Sequence, residues 1–371
     1  MDTKNANTPK RRFPGFEGEW EQRKLGDIVE INSGKDYKHL IEGEVPVYGT
    51  GGYMLSVSEA LSYRDGIGIG RKGTIDKPYI LRAPFWTVDT LFYCVPKEKD
   101  DLQFVNAIFE RINWRSYDES TGVPSLSKVI INNIQVFSSC IDEQRTIGNF
   151  MLKVEKQISL HQHKLDKLKD LKKAYLSEMF PAEGERVPKR RFPGFEGEWE
   201  QRKVSDLFKI TRGYVLAATK TEGHKSDRLP YPVYSSQTKD KGLMGFYSEY
   251  LYEDAITWTT DGANAGEVNY RKGKFYCTNV CGVLLSKEVK ADQMIAEAIN
   301  NVAKKYVSYV GNPKLMNNVM AEIEIKIPST SQERIKISQF FSAIDKQITL
   351  QQQKLDKLND LKKSYLNELF V

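Results

Sequence analysis

Two stretches of the chain carry register positions at alternating spacings of four and three. The first runs through Ile147, Met151, Val154, Ile158, His161, Leu165, Leu168, Lys172, Tyr175 and Met179. The second runs through Ile337, Phe341, Ile344, Ile348, Gln351, Leu355, Leu358, Lys362, Tyr365 and Leu369. This spacing over several heptads is the coiled-coil signature and predicts two long helices, at 143–180 and 333–371. A helix of 38 residues is about 57 Å long, well beyond the core of one domain. Val154, Ile158, Leu165 and Leu168 are predicted to pair with the seam formed by Ile344, Ile348, Leu355 and Leu358. Two halves related by a pseudo-twofold axis would make the helices antiparallel. His161 with Gln351, and Lys172 with Lys362, read as polar layers that set alignment at some cost in stability.

Between the long segments the pattern changes. Short apolar runs alternate with turn residues: Val45 to Tyr48, Ile67 to Ile69, Tyr79 to Leu81, Leu91 to Val95 and Ile130 to Val136. A second series matches loosely, with Tyr231 to Tyr234, Ala255 to Trp258, Phe275 to Cys277, Val283 to Leu285 and Ala321 to Ile327. One helical segment is expected in each series, near 102–115 and 291–306. Short strands with Gly-rich turns and little helix predict α+β domains of mainly antiparallel sheet.

The chain also repeats itself. Lys10 to Lys24 reads KRRFPGFEGEWEQRK, and Lys189 to Lys203 is identical. Pro14, Gly15 and Gly18 forbid a regular helix there, while Phe13, Phe16 and Trp20 need apolar cover, so each copy reads as an arm docked on its own domain. The long helices end in matching KLDKLKDLKKAYLSEMF and KLDKLNDLKKSYLNELF. The expected organisation is an arm at 1–24, a first body at 25–142, a helix at 143–180, a linker with the repeated arm at 181–203, a second body at 204–332 and a closing helix at 333–371. A duplicated frame around two dissimilar bodies suits a protein that grips two different things at a fixed separation.

Composition narrows the classes. With 371 residues, 40% hydrophobic and 28% charged, the chain has the balance of an ordinary soluble protein with two cores. No apolar run approaches the ~20 residues of a membrane helix. The opening MDTKNANTP is polar, so no secretory signal is expected and the cytoplasm is the expected home. Cys94, Cys140, Cys277 and Cys281 give neither a disulfide framework nor a zinc site. A net charge of +6 permits a polyanionic partner without demanding one.

Catalytic motifs are weak. Gly68 to Gly73 satisfies GxGxxG, but Pro78 would break the helix that a dinucleotide site requires. Glu324-Ile325-Lys326 has the spacing of some metal-dependent nucleases, yet alternating isoleucines make it an ordinary strand. Asn312-Pro313-Lys314 falls short of the Asn-Pro-Pro-aromatic motif of amino-methyltransferases, and no Walker motif is present. The four histidines lack partners at metal-ligand spacing. No catalytic residue, metal or cofactor is expected in this chain.

What remains is a set of polar, Gly-rich loops at comparable places in both bodies. In the first they hold Tyr48, Gly49, Thr50, Gly51, Gly52 and Tyr53, then Arg71, Lys72 and Thr74, then Ser125, Ser127 and Lys128. In the second they hold Ser235, Ser236, Gln237, Thr238 and Lys239, then Thr259, Thr260 and Asn264, then Asn312 and Lys314. Small residues allow close approach, and these polar side chains are of the kind that read base edges and phosphates. Any one of these loops taken alone reads as an ordinary hairpin turn, but their parallel placement in two divergent bodies points to a binding surface.

The RFPGFEGEWEQRKL lead-in, the VYGTGGY and IGRKGT loops, the run Val123-Pro124-Ser125-Leu126-Ser127 and the Glu143-Gln144-Arg145 opening of the long helix that ends KLDKLKDLKKAYLSEMF, taken together, resemble the specificity subunit of type I restriction-modification systems. The second body departs from the pattern, with Ser235-Ser236-Gln237 against Gly49-Thr50-Gly51 and Gly311 to Leu315 against Val123 to Ser127. The resemblance implies two target-recognition domains, each reading half of a split DNA sequence. Paired helices would separate them and dock two modification subunits that carry S-adenosylmethionine. Restriction subunits using ATP and Mg would join the same assembly. Two other classes stay open: a stand-alone methyltransferase or nuclease with an unrecognised site, and a DNA-free coiled-coil scaffold.

Overall fold

The computed structural model describes residues 7–236 and 240–371. The chain divides into two compact units, Met1–His163 with Gln352–Val371, and Lys164–Gln351. The two long helices span Ile141–Met179 and Ser331–Glu368, and each contributes to both units. Register positions from Ile147 to Met179 are buried or half-buried, while the intervening Lys164, Lys167 and Lys169 are exposed. Within the first unit Phe150 meets Tyr365 edge-on at 4.7 Å and Glu155 meets Lys362 at 3.0 Å. In the second unit Tyr175 meets Phe340 at 4.9 Å and Lys172 meets Asp345 at 2.7 Å. In each case a rising number on one helix meets a falling number on the other, so the helix segments run antiparallel.

Each arm behaves as its sequence requires. Trp20 is buried against Phe104 and Phe370, and Trp199 is buried against Phe180. Arg12 donates to both oxygens of Glu143 at 2.7 and 2.8 Å, and Arg191 to both oxygens of Glu333 at 2.6 and 2.7 Å. Each glutamate lies in the first turn of a long helix, where a carboxylate also complements the helix dipole. Arg11 sits over Tyr365 and pairs with Glu368, as Arg190 sits over Tyr175 and pairs with Glu178. Glu21–Lys24 then pairs antiparallel with Gln135–Ser138, and Glu200–Lys203 with Glu324–Ile327.

The bodies share a strand order that their sequences conceal. In the first, Val29–Ser33, Leu91–Pro96, Gly66–Gly70 and Tyr79–Leu81 form an antiparallel sheet. A second sheet holds Gly52–Val57, Glu42–Gly49 and Trp86–Thr87. In the second body one continuous strand, Val268–Cys277, replaces both Tyr79–Leu81 and Trp86–Thr87. The result is one six-stranded sheet, mostly antiparallel, in the order Phe208–Arg212, Cys281–Ser286, Tyr252–Thr259, Val268–Cys277, Tyr231–Tyr234, Leu243–Tyr247. In the first body Pro84, which has no N–H to donate, stands in the break. Helices Leu102–Arg111 and Gln293–Ala303 cover the sheets, each capped by an aspartate that accepts first-turn N–H groups, Asp101 and Asp292.

Two apolar runs differ from expectation. Ile130 to Val136 is half helix, Lys128–Asn133, before the strand Gln135–Ser138. Ala321 to Ile327 likewise follows a helix, Asn317–Glu322, into Glu324–Ile327. Ser127 starts the first of these helices by accepting from the Ile130 N–H, and burial of Ile131 and Met320 sets their inner faces.

Candidate nucleic-acid interface

In the first body two of the predicted loops bond to the turn Thr87–Leu91, and the third bonds to one of those two. Tyr48 O accepts from the Val88 N–H at 3.0 Å, and Thr90 O accepts from the Arg71 N–H at 2.8 Å. Arg71 O in turn accepts from the Leu126 N–H at 3.0 Å, and the Gly73 N–H donates to Pro124 O at 2.9 Å. A backbone clasp therefore joins the Gly70–Thr74 loop to the Pro124–Lys128 segment. Glycine is required at Gly70, where a Cβ would lie 2.0 Å from Thr74 O, and at Gly73, whose φ is +88°. Arg71 and Lys72 point into solvent, with the Arg71 guanidinium 5.8 Å from the Phe92 ring centre.

The hairpin at Tyr48 to Tyr53 is held by the Tyr79 hydroxyl, which donates to Gly49 O at 2.6 Å. Burial, and the neighbouring Tyr48, push that phenol far above its ordinary pKa, so it stays a donor. Thr50 is half-exposed, Gly51 is exposed, and Gly52 turns the chain with φ +106°. Tyr53 is exposed and its hydroxyl meets Ser56 at 3.2 Å. Thr74 is half-exposed. Ser125 is held by Asp118, whose carboxylate accepts from the Ser125 N–H at 2.9 Å and from the Ser120 N–H and hydroxyl at 3.0 and 2.8 Å. These bonds depress the Asp118 pKa. Ser127 uses its hydroxyl as a helix cap, and Lys128 opens that helix, half-exposed.

The second body repeats the clasp. The Thr260 N–H donates to Val280 O at 3.0 Å, Thr260 O accepts from the Leu315 N–H at 2.9 Å, and the Gly262 N–H donates to Pro313 O at 3.0 Å. Pro313, Lys314 and Leu315 thus correspond to Pro124, Ser125 and Leu126, a closer match than the sequence showed. The bonds also place Thr260 where the first body has Arg71. Thr260 spends its hydroxyl on Val280 O, Asn312 donates to Asp261, and the Lys314 ammonium lies 3.9 Å from Asp261. Thr259 is buried within its strand, and Asn264 Nδ2 is buried with no partner among the described residues. The Ser235 hydroxyl accepts from Thr278 at 2.9 Å, and Ser236 is half-exposed. Gln237, Thr238 and Lys239 lie outside the described residues.

Several residues were missed in the sequence. Arg271 is buried, stacks 3.7 Å above Tyr234, and donates to Thr257 Oγ1 at 3.0 Å and Lys241 O at 2.6 Å. Burial lowers its pKa. Arg115 pairs with Asp76 at 2.6 Å beside the first clasp. Such residues come from distant strands and turns, so no local pattern marks them. Other predicted features are ordinary: Lys326 Nζ donates to Ala182 O, and no helix follows the Gly66–Gly70 strand through Pro78.

This chain belongs to the family of the type I restriction modification DNA specificity domain, whose model matches residues 17–170 and 196–360. Among its relatives, a Mycoplasma pneumoniae protein named as the N-terminus of a type I specificity subunit is 39% identical over 137 residues, 36% of this chain and 72% of that protein. The type I restriction enzyme MpnII specificity subunit of the same organism is 34% identical over 150 residues, 39% of this chain and 44% of that subunit. The crystal structure of a type I restriction-modification system S subunit from M. genitalium superposes with a TM-score of 0.78, covering 98% of this chain and 99% of that one. At 15% identity that likeness shows a shared fold. Among the described residues no helix is long and apolar enough to cross a membrane.

Proposed function

We propose that this chain is the DNA-reading subunit of a cytoplasmic type I restriction-modification complex and performs no catalysis itself. Each body reads one half of a bipartite target, and the antiparallel helices set the gap and dock two modification subunits. Those partners supply S-adenosylmethionine, and restriction subunits supply ATP- and Mg-dependent chemistry.

The repeated clasp is the observation that carries this reading. Two bodies of different sequence use the same backbone bonds to hold the same loops together, Arg71 to Leu126 and Thr260 to Leu315. Main-chain clasps fix loop position while leaving side chains free to differ, which is what two readers of different sequences require. Exposed leucines on the long helices, Leu160 and Leu171 on one and Leu350 and Leu361 on the other, recur at matching positions and suit a protein partner. Methylated-base sequencing of a host expressing the chain with its modification subunit is expected to give a two-part motif with a fixed gap. Methyl transfer or cleavage by the purified chain alone would contradict this reading, as would an unsplit motif.

A further inference from the structure

Lys172 and Lys362 occupy seam positions, but the seam alone does not hold them. Lys172 Nζ lies 2.7 Å from Asp345 on the opposite helix and 2.6 Å from Glu297 on the body helix Gln293–Ala303. Lys362 Nζ lies 3.0 Å from Glu155 on the opposite helix and 2.7 Å from Glu110 on the body helix Leu102–Arg111. The side chains of the first triad are 18%, 13% and 6% exposed, so water screens them little. Burial disfavours the Lys172 ammonium, but the two carboxylates outweigh it and hold its pKa above the ordinary lysine value. Two bodies that share little sequence thus each bring a body-helix glutamate onto the corresponding lysine, from different turns of the helix: Glu110 lies nine residues past the Asp101 cap and Glu297 five past the Asp292 cap.

Stability is a poor account of this recurrence, because a buried ion cluster roughly breaks even against well-packed apolar side chains. Geometry is a better one. Apolar packing of a body helix on two long helices is non-directional and tolerates sliding. A charge-assisted contact among three elements is met at one arrangement only. In the second unit the cluster also reaches toward the candidate interface. The other Asp345 oxygen accepts from Lys241 Nζ at 3.0 Å, while Lys241 O receives Arg271, the residue stacked on Tyr234. Lys241 itself has φ +52°, a left-handed backbone uncommon outside glycine.

We infer that Lys172 and Lys362 are positioning residues: each pins its own body to the long helices and so sets where that body's loops meet DNA. This rests on the DNA-reading function proposed above.

The test uses the complete complex with modification subunits and target DNA altered in one half or the other. Two forms are compared with the parent, Lys172→Met and the triple variant Lys172→Met/Glu297→Met/Asp345→Leu. The triple variant leaves no buried charge unpaired and is expected to melt close to the parent. In both forms discrimination against an altered second half-site should fall about tenfold, while discrimination at the first half-site holds within about twofold. Lys362→Met should do the reverse. Because each readout is a ratio of affinities, a reduced fraction of active complex leaves it unchanged. Parent-like discrimination at the second half, or equal loss at both halves, would overturn the pinning role. A parent complex indifferent to changes in either half would instead overturn the DNA-reading function.

Discussion

Arg12→Met removes the guanidinium that holds the arm to the first long helix. Its partner Glu143 is 1% exposed, and both of its oxygens accept from Arg12. Arg12 also donates to Gly18 O and Glu17 O, so one side chain ties the arm's turn to the helix start. Methionine keeps the apolar stem and leaves a buried carboxylate unpaired. Breaking a buried pair in this way costs about 3–5 kcal/mol. The helix N-terminus still favours the charge and offsets roughly 0.3–1 kcal/mol. The net loss is therefore about 3 kcal/mol, or a fall of about 6–12 °C in the melting of a unit this size. Amide exchange localises the effect: protection over residues 141–150 should fall while 331–340 keeps parent rates, because Arg191 still holds Glu333. Adding Glu143→Leu should recover most of the loss, since no charge is then stranded. A loss below about 1 kcal/mol, or equal loss of protection at both helix starts, would show that Arg12 does not hold the arm to this helix.

Three further outcomes follow from the same structure. Arg71→Ala should weaken DNA binding by the assembled methyltransferase, either flattening the log affinity against log salt plot by about one unit or costing roughly 1–3 kcal/mol at one base pair. Unchanged affinity at every salt concentration would place Arg71 off the DNA. Leu165→Asp with Leu355→Asp puts charge at two buried positions, and recovery of an intact complex with the modification subunit in a pull-down would contradict the seam as an assembly element. The Asp118 pKa is depressed, so its contribution is present above the ordinary 3.8 and is lost as pH falls through the folded value. The amide resonances of Ser120 and Ser125 should titrate in that acid range in the parent and stay flat in Asp118→Asn; identical behaviour would remove Asp118 as the loop's anchor.

The long helices were legible because a heptad repeat is written locally, every four and three residues. The arms were legible too, since Trp20 and Trp199 in a Pro- and Gly-containing run have nowhere to go but a core. The shared strand order was not, because it is fixed by ladders between distant segments that tolerate side-chain change. Ile130 to Val136 misled because a short apolar run does not declare its period, and a serine cap decided for helix at its start. The candidate loops could be named from composition, but their clasp is main chain to main chain and leaves no residue signature. Ser127 and Thr260 look alike in the sequence to any reader of DNA, yet both spend their hydroxyls on backbone. The lysines at 172 and 362 were visible as polar layers, while the glutamates that complete their triads come from the bodies.

Exchanging one body shows whether each body reads its own half of the target. Residues 204–332 are replaced with the corresponding body of a relative, keeping both arms and both long helices, and the methylated sites of a host carrying the hybrid with its modification subunit are sequenced. One half of the motif is expected to change while the other half and the gap stay as they were. A change in both halves, or in neither, would contradict it.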